Sequence, residues 1–324
     1  MPLAVLGAGA WGTAISCVLA ARMEVALWAR DASQAATIGA TRRNDRYLAG
    51  IELPSTVRVT GDLADATRGA SLLLAATPVA GLRSLLASLK GAPPVVWLCK
   101  GFEEGSGALP HQIARAALGE RSRFGALSGP SFAEEVARGL PCALTLASHD
   151  AAFAREAAAT LHGGRMRIYY SSDLIGVEIG GAVKNVMAIA AGISDGMGLG
   201  LNARAALITR GLAEITRLGT ALGGQPETFM GLAGAGDLIL TATGDLSRNR
   251  RVGLELARGR SLPDIVATLG HVAEGVHSAR EVAKLAQARG VDMPVTAAVC
   301  AVLDGRLTAA AAVEQLLARE SKME

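Results

Sequence analysis

Aromatic residues make up only 3% of the chain, and the formal net charge is +3. Like charges do not run together beyond pairs such as Arg42–Arg43 and Arg250–Arg251. A basic stripe interleaved with stacking aromatics is therefore missing, and no nucleic-acid partner is expected. The four cysteines, Cys17, Cys99, Cys142 and Cys300, form no close pair. That spacing excludes a zinc knuckle or a thioredoxin-like motif and fits a reducing compartment. The five histidines show no HExxH-like spacing, so no metal is expected. Uninterrupted apolar runs stay short of the roughly 18 residues of a membrane span. The first residues lack a basic stretch with a cleavage site. A cytoplasmic protein with no membrane span is the expectation.

What is present is apolar and ordered in pattern. Half of the 324 residues are hydrophobic and 19% are charged, enough to bury sizeable cores. The length predicts two domains. The 39 glycines fall mostly inside apolar segments, where they signal tight turns and close backbone approaches rather than linkers. In the first half, apolar runs at 3–7, 25–28, 57–60, 71–77, 94–100 and 124–129 alternate with helix-like segments such as 11–22. Such alternation predicts a parallel, doubly wound α/β sheet whose strands are apolar throughout because both faces are covered. Near residue 171 the character changes. Helical patterns at 173–194, 203–222, 247–258, 261–269, 275–289, 294–304 and 308–319 dominate from there. The expected division is a Rossmann-type domain over 1–170 and an all-α domain over 171–324, with 142–170 open to either side.

GAGAWG at 7–12 follows the first strand and opens the first helix. In that setting Gly7 permits the tight turn, Gly9 lets backbone approach a pyrophosphate, and Gly12 allows helix–strand packing. Ala10 lies in the same loop as a candidate cofactor contact, and Trp11 begins the helix, whose N-terminus supplies N–H donors and a positive dipole end. Arg30 and Asp31 follow the second strand. An acid there would take the ribose 2′-hydroxyl, and an arginine would take a 2′-phosphate. Arg30 could also stack on adenine, and Asp31 could instead cap the next helix. NADP(H) is favoured, with NAD(H) possible.

Four further motifs stand at strand ends or open helices: CKG (99–101), GPSFAEEV (129–136), GAVKNVMAIAAGISDGMGLGLN (181–202) and GAGDLILTATGDLSRNRR (234–251). Together with GAGAWG and AEG (273–275), in this order, they resemble the soluble, bacterial-type NAD(P)-dependent glycerol-3-phosphate dehydrogenase family over nearly the whole chain. Cys99 before Lys100, where the family more often has threonine, is a minor variation. The resemblance implies that Lys184 is the proton donor and acceptor. It implies that Lys100, Gly129, Ser131, Asp237, Ser247, Arg248 and Asn249 line the substrate site. It assigns cofactor contacts to Trp11, Arg30, Lys100, Ala133, Arg248, Val272 and Glu274, beside the glycine loop. It further implies a helical domain related to that of 6-phosphogluconate dehydrogenase, an active site in the cleft between the domains, and a role in supplying sn-glycerol 3-phosphate for phospholipid synthesis. A homodimer is one option for assembly.

The residues themselves carry part of this. Between 174 and 193 the only ionisable or amide side chains are Glu178, Lys184 and Asn185. Lys184 has Gly180 and Gly181 one turn before it and Met187 and Ala188 one turn after. Its alternative fate is to snorkel out at the helix edge. Ser247-Arg248-Asn249 offers a hydroxyl, a planar fork and an amide, a set suited to phosphate, or else an ordinary helix N-cap. Arg250 and Arg251 are expected at the surface, and Asp195-Gly196 in a turn. Asp237 could cap a helix, orient Lys184 or meet a substrate hydroxyl. A dehydrogenase for hydroxy acids or ketopantoate, and a non-catalytic NADP(H) sensor, are the alternatives. The SRN cluster and the two lysines speak against the first, and the presence of Lys184 against the second.

Overall fold

The computed structural model describes residues 2–89, 91, 93–120, 122–269 and 273–320. The chain divides into two compact units. One comprises Met1–Lys100 with Ala108–Leu174, the other Gly101–Gly107 with Ile175–Glu324. The second unit thus begins four residues beyond 171 and takes in a short loop from the middle of the first half.

The first unit carries strands β1 (Leu3–Leu6), β2 (Val25–Trp28), β3 (Arg43–Asn44), β4 (Leu48–Glu52), β5 (Val57–Thr60), β6 (Leu72–Ala75), β7 (Val95–Trp97), β8 (Phe124–Ser128), β9 (Cys142–Ala147) and β10 (Met166–Ser171). Its helices are α1 (Ala10–Leu19), α2 (Ala32–Thr41), α3 (Leu63–Thr67), α4 (Val79–Ala87), α5 (Pro110–Leu118), α6 (Ala133–Ala137) and α7 (Ala151–Leu161). Eight strands form one sheet in the order β10-β9-β8-β7-β6-β1-β2-β5. The six expected strands are all in it, and the segment left open, 142–170, joins it through β9 and β10. β1, β6 and β7 are fully buried, as a sheet covered on both faces requires.

The expectation of a wholly parallel sheet needs one correction, because β9 pairs with β8 antiparallel. The chain therefore enters β9 at the edge where it leaves β8. The five-residue α6 lies in that connection, with no helical crossover returning it to the far edge. The β3–β4 hairpin, broken by a register irregularity, is a second addition.

The second unit contains α8 (Leu174–Gly196), α9 (Gly200–Ala221), α10 (Pro226–Met230), a π-helical turn (Leu232–Gly236), α11 (Asp237–Thr243), α12 (Arg248–Ala257), α13 (Leu262–Leu269), α14 (Glu274–Ala288), α15 (Pro294–Leu303) and α16 (Ala309–Leu317). Among the described residues, α8 alone is long and apolar enough to cross a membrane, yet 94% of its most apolar window is buried inside the protein. It is a core helix. Its glycines are contact points. A Cβ at Gly180 would stand 2.6 Å from the Ala233 carbonyl oxygen, and one at Gly192 would stand 2.0 Å from that of Arg250. Backbones approach α8 where a side chain would block them. The run from α10 through the π turn, not anticipated as helical, is shaped by such packing, since LAGAG has no apolar periodicity of its own.

Glu214 shows how a buried charge is used for architecture. It is 1% exposed on α9, and it accepts from the Val295 N–H at 2.6 Å, the Thr296 N–H at 3.1 Å and the Thr296 hydroxyl at 3.0 Å, capping α15. Burial pushes its carboxyl above the ordinary range, against the pull of those hydrogen bonds. Glu214→Ala is expected to destabilise the protein by about 2–3 kcal/mol, because two buried N–H groups lose their acceptor. A raised carboxyl pKa means that the folded state binds the extra proton. The stability Glu214 contributes is thus fully present below the unfolded pKa and is lost as pH rises through the folded one. Denaturant titrations should show a larger gap between wild type and variant near pH 4 than near neutrality. A gap that widens with pH would contradict this.

Candidate active site

Three groups of predicted residues are assembled locally, two in the first unit and one in the second. The glycine loop comes first. Gly7 has φ +130°, where only glycine is comfortable, and a Cβ there would lie 2.8 Å from the Ala76 carbonyl oxygen. A Cβ on Gly12 would stand 1.9 Å from the Gly7 oxygen, so the helix can start this close to the turn only without a side chain. Gly9 differs from both. A Cβ there would meet nothing within 4 Å. Gly9 is the N-cap of α1, which has no side-chain cap and no acid in its first turn. Ala10 and Trp11 open the helix half-buried, and the first-turn N–H groups have no helical acceptor. Open space at an uncapped helix N-terminus fits a dinucleotide pyrophosphate.

At the end of β2, Arg30 is exposed. Asp31 is committed to capping α2, its carboxylate accepting from the Ser33 N–H at 2.9 Å, the Ser33 hydroxyl at 2.7 Å and the Gln34 N–H at 3.3 Å. Those hydrogen bonds, that of the Ser33 hydroxyl foremost, hold its carboxyl below the usual range. Of the two readings of Asp31, the structure shows the cap.

The second group lies past β7 and β8. Lys100 Nζ donates to the Gly129 carbonyl at 3.1 Å, and the Ser131 hydroxyl donates to the same oxygen at 3.0 Å. Gly129 has φ +136°. Ser131 precedes the next helix, α6, which begins at Ala133 with Phe132 as N-cap. Lys100, Ser131 and Ala133 are half-buried.

The third group is built on α8. Lys184 is only 7% exposed, so it does not snorkel. Its Nζ donates to Asp237 Oδ1 at 2.5 Å and to the Thr241 hydroxyl at 2.7 Å. Asp237 is 1% exposed at the start of α11, and Thr241 stands one turn later on the same face. The approach of Ala233 to Gly180 places Asp237 there: a bulkier residue at Gly180 would push the π turn away.

Asn185 and Asn249 form a second buried link. Asn249 Nδ2 donates to Asn185 Oδ1 at 3.0 Å, and Asn249 Oδ1 accepts from the Gly275 N–H at 3.0 Å, at the head of α14. Both ends of the Asn249 amide are thus engaged within the protein. Glu274, the first residue of α14, is half-buried, and Val272 lies outside the described residues.

Ser247 is the N-cap of α12, accepting from the Arg250 N–H at 3.2 Å. Arg248, the first residue of that helix, is exposed. Arg250 is not the surface residue expected. Its guanidinium pairs with Asp195 at 2.7 Å and Asp245 at 2.9 Å. Asp195, which also takes Arg204 at 3.1 Å, lies in the last turn of α8 rather than in a loop turn. Its ion pairs hold α9 and α12 to that turn. Among the described residues, no three His, Cys, Asp or Glu side chains cluster so as to hold a metal ion.

Thr241, Asn185 as a linker, Asn44 and Gln34 carry contacts that sequence reasoning did not assign. The i, i+4 spacing of Asp237 and Thr241 was the available signal for the first.

Comparison with known proteins covers both units. Residues 2–154 match the family described as NAD-dependent glycerol-3-phosphate dehydrogenase N-terminus, and residues 173–314 match its C-terminus. The chain is 61% identical over 327 residues to "Glycerol-3-phosphate dehydrogenase [NAD(P)+]" of Dechloromonas aromatica, covering 100% of this chain and 99% of the relative. It is 61% identical over 329 residues to the protein of that name from Methylibium petroleiphilum, covering 100% and 98%. Among solved structures, the glycerol-3-phosphate dehydrogenase of Coxiella burnetii superposes with TM-score 0.93 at 40% identity, over 98% of this chain and 99% of that one. A ketopantoate reductase from Ralstonia eutropha, at 20% identity and TM-score 0.59 over 97% of this chain and 100% of that one, shares the fold alone.

Proposed function

Because the chain belongs to the NAD-dependent glycerol-3-phosphate dehydrogenase family, we propose that Lys184 is the group that moves the C2 hydroxyl proton in its reaction. The activity is the NAD(P)-dependent interconversion of dihydroxyacetone phosphate and sn-glycerol 3-phosphate. The observation that carries the Lys184 assignment is a buried ammonium held by a buried carboxylate and a hydroxyl on an otherwise apolar helix.

The nicotinamide, when bound, supplies or accepts the hydride at C2. Lys184 handles the proton on the oxygen attached to that carbon. In reduction its ammonium donates to the carbonyl oxygen as negative charge develops there, and in oxidation its amine takes the hydroxyl proton. Asp237 and Thr241 accept two of the ammonium's three donors and so set its direction. Arg248, with Ser247 beside it at the head of α12, is proposed to hold the substrate phosphate by a planar fork plus helix N–H groups. Asn249 is proposed to act mainly by tying α8, α12 and α14 together, since its amide is already engaged. The group of Lys100, Gly129 and Ser131 is proposed for substrate contact, Lys100 also for the cofactor, and Ala133 and Glu274 for the cofactor. Supply of sn-glycerol 3-phosphate for phospholipid synthesis in the cytoplasm is the proposed role.

The test is turnover followed by nicotinamide absorbance with dihydroxyacetone phosphate, unphosphorylated dihydroxyacetone and ketopantoate. Rapid turnover of the phosphate ester alone is expected; equal turnover of dihydroxyacetone would remove the phosphate site from the scheme.

Arg30, exposed at the end of β2, is proposed to take the 2′-phosphate, which makes NADP(H) the favoured cofactor. Arg30→Ala should weaken NADPH by about 10-fold or more and leave NADH within about twofold. Equal losses in fluorescence titrations would mean that Arg30 only stacks on adenine.

A further inference from the structure

The carbonyl of Ala8, inside the glycine loop, is held from behind by two side-chain amides. Gln34 Nε2, on α2, donates to it at 2.9 Å, and Asn44 Nδ2, on β3, donates to it at 2.9 Å. The same Asn44 nitrogen donates to the Thr13 hydroxyl on α1 at 2.7 Å, and its oxygen lies 3.5 Å from Gln34 Nε2. This network fixes the amide assignment, because a flipped Asn44 would set oxygen against oxygen at Ala8. Asn44 is 2% exposed and Thr13 fully buried. The Thr13 N–H bonds the Gly9 carbonyl at 2.9 Å, so the peptide following Gly9 is anchored too.

In a planar trans peptide the C=O and N–H point in opposite directions. The Ala8–Gly9 peptide is trans, and its carbonyl is pinned inward by two donors. Its other end, the Gly9 N–H, is therefore aimed outward. Among the described residues nothing accepts from that N–H, and a Cβ on Gly9 would find open space. A backbone donor left unpaired and held in one direction is what anion binding needs.

We propose that Asn44 and Gln34 are positioning residues for the cofactor: by holding the Ala8 carbonyl they orient the Gly9 N–H toward the dinucleotide pyrophosphate. This rests on reading the glycine loop as the pyrophosphate site. The pyrophosphate is common to NADH and NADPH, so the effect is shared by both, unlike that of Arg30.

The experiment measures the affinity of the full chain for NADPH and NADH by fluorescence titration, for adenosine by competition, and the melting temperature without cofactor. Gln34→Ala, at a half-buried position, is expected to raise both dinucleotide dissociation constants by about fivefold, the worth of one neutral hydrogen bond. Asn44→Asp, which turns a donor into an acceptor, should raise them by more than about 10-fold. Adenosine, which has no phosphate, should bind within about twofold of wild type in each variant. Gly9→Ala is the control for the loop reading. Its φ of −80° and ψ of −175° suit alanine and the space is empty, so the melting temperature should hold while both dinucleotides weaken.

If Gly9→Ala weakens the dinucleotides and the Gln34 and Asn44 variants do not, the positioning role is overturned and the loop reading stands. If Gly9→Ala has no effect, the loop reading fails and takes the proposal with it. Adenosine weakening in parallel with the dinucleotides would reduce Asn44 and Gln34 to structural residues and also overturn it.

Discussion

Lys184→Ala is expected to lower kcat by at least about 10³-fold, the combined scale of a positioned general acid and a charge beside a developing alkoxide. NADPH affinity should change little, because the glycine loop and Arg30 belong to the first unit and Lys184 to the second. Lys184→Arg should not restore activity, since a guanidinium keeps its proton at neutral pH and needs more room than a site 7% exposed provides. Removing the lysine leaves the Asp237 carboxylate buried, and breaking such a pair costs about 3–5 kcal/mol. The melting temperature should therefore fall in Lys184→Ala. The double variant Lys184→Met/Asp237→Asn, which removes both charges at similar volume, should recover most of that stability and none of the activity. If Lys184→Ala keeps more than about a tenth of wild-type kcat, far above the general-acid scale, the proposed chemistry is wrong even though the reaction is right.

Arg248→Ala should raise KM for dihydroxyacetone phosphate by about 30- to 150-fold, corresponding to about 2–3 kcal/mol for a charge-assisted bidentate contact. That is the upper part of the range for hydrogen bonds to charged groups. A surface ion pair would give under about 1 kcal/mol. Arg248 is exposed in the structure, so its effect depends on the phosphate excluding water from the head of α12. Arg248→Lys should fall between, keeping the charge and losing the fork. Because Ser247 already caps α12, replacing Arg248 should leave the melting temperature within about 1 °C, as expected for an exposed residue. A KM within twofold of wild type would place the phosphate elsewhere.

Much of this was legible in the chain. GAGAWG between an apolar strand and a helix announced the tight strand-to-helix turn, because Gly7 and Gly12 answer steric demands that the spacing alone states. Lys184 stood out because a lysine among glycine, alanine and aliphatic residues has few neighbours of its own kind. Ser247 illustrates the limit: the pattern allowed either a phosphate ligand or an N-cap, and the structure shows the cap without removing the ligand. Arg250 and Asp195 were misplaced for a related reason. Local pattern sees an arginine pair and an Asp-Gly dipeptide, whereas the crossing of α8 and α12 at Gly192 brings the two charges together.

By itself, the sequence determined the alternation of strands and helices, the change to an all-helical second half, the glycine loop and the chemically odd lysine. These are local properties, set by periodicity, sterics and the scarcity of charge. Only the tertiary structure decided what lies opposite each of them. The antiparallel entry of β9, the π turn that delivers Asp237 to Lys184, and the hairpin that sets Asn44 behind Ala8 all depend on residues distant in the chain. For the π turn, placement follows from close backbone packing, that of Ala233 against Gly180, which no local window of sequence contains.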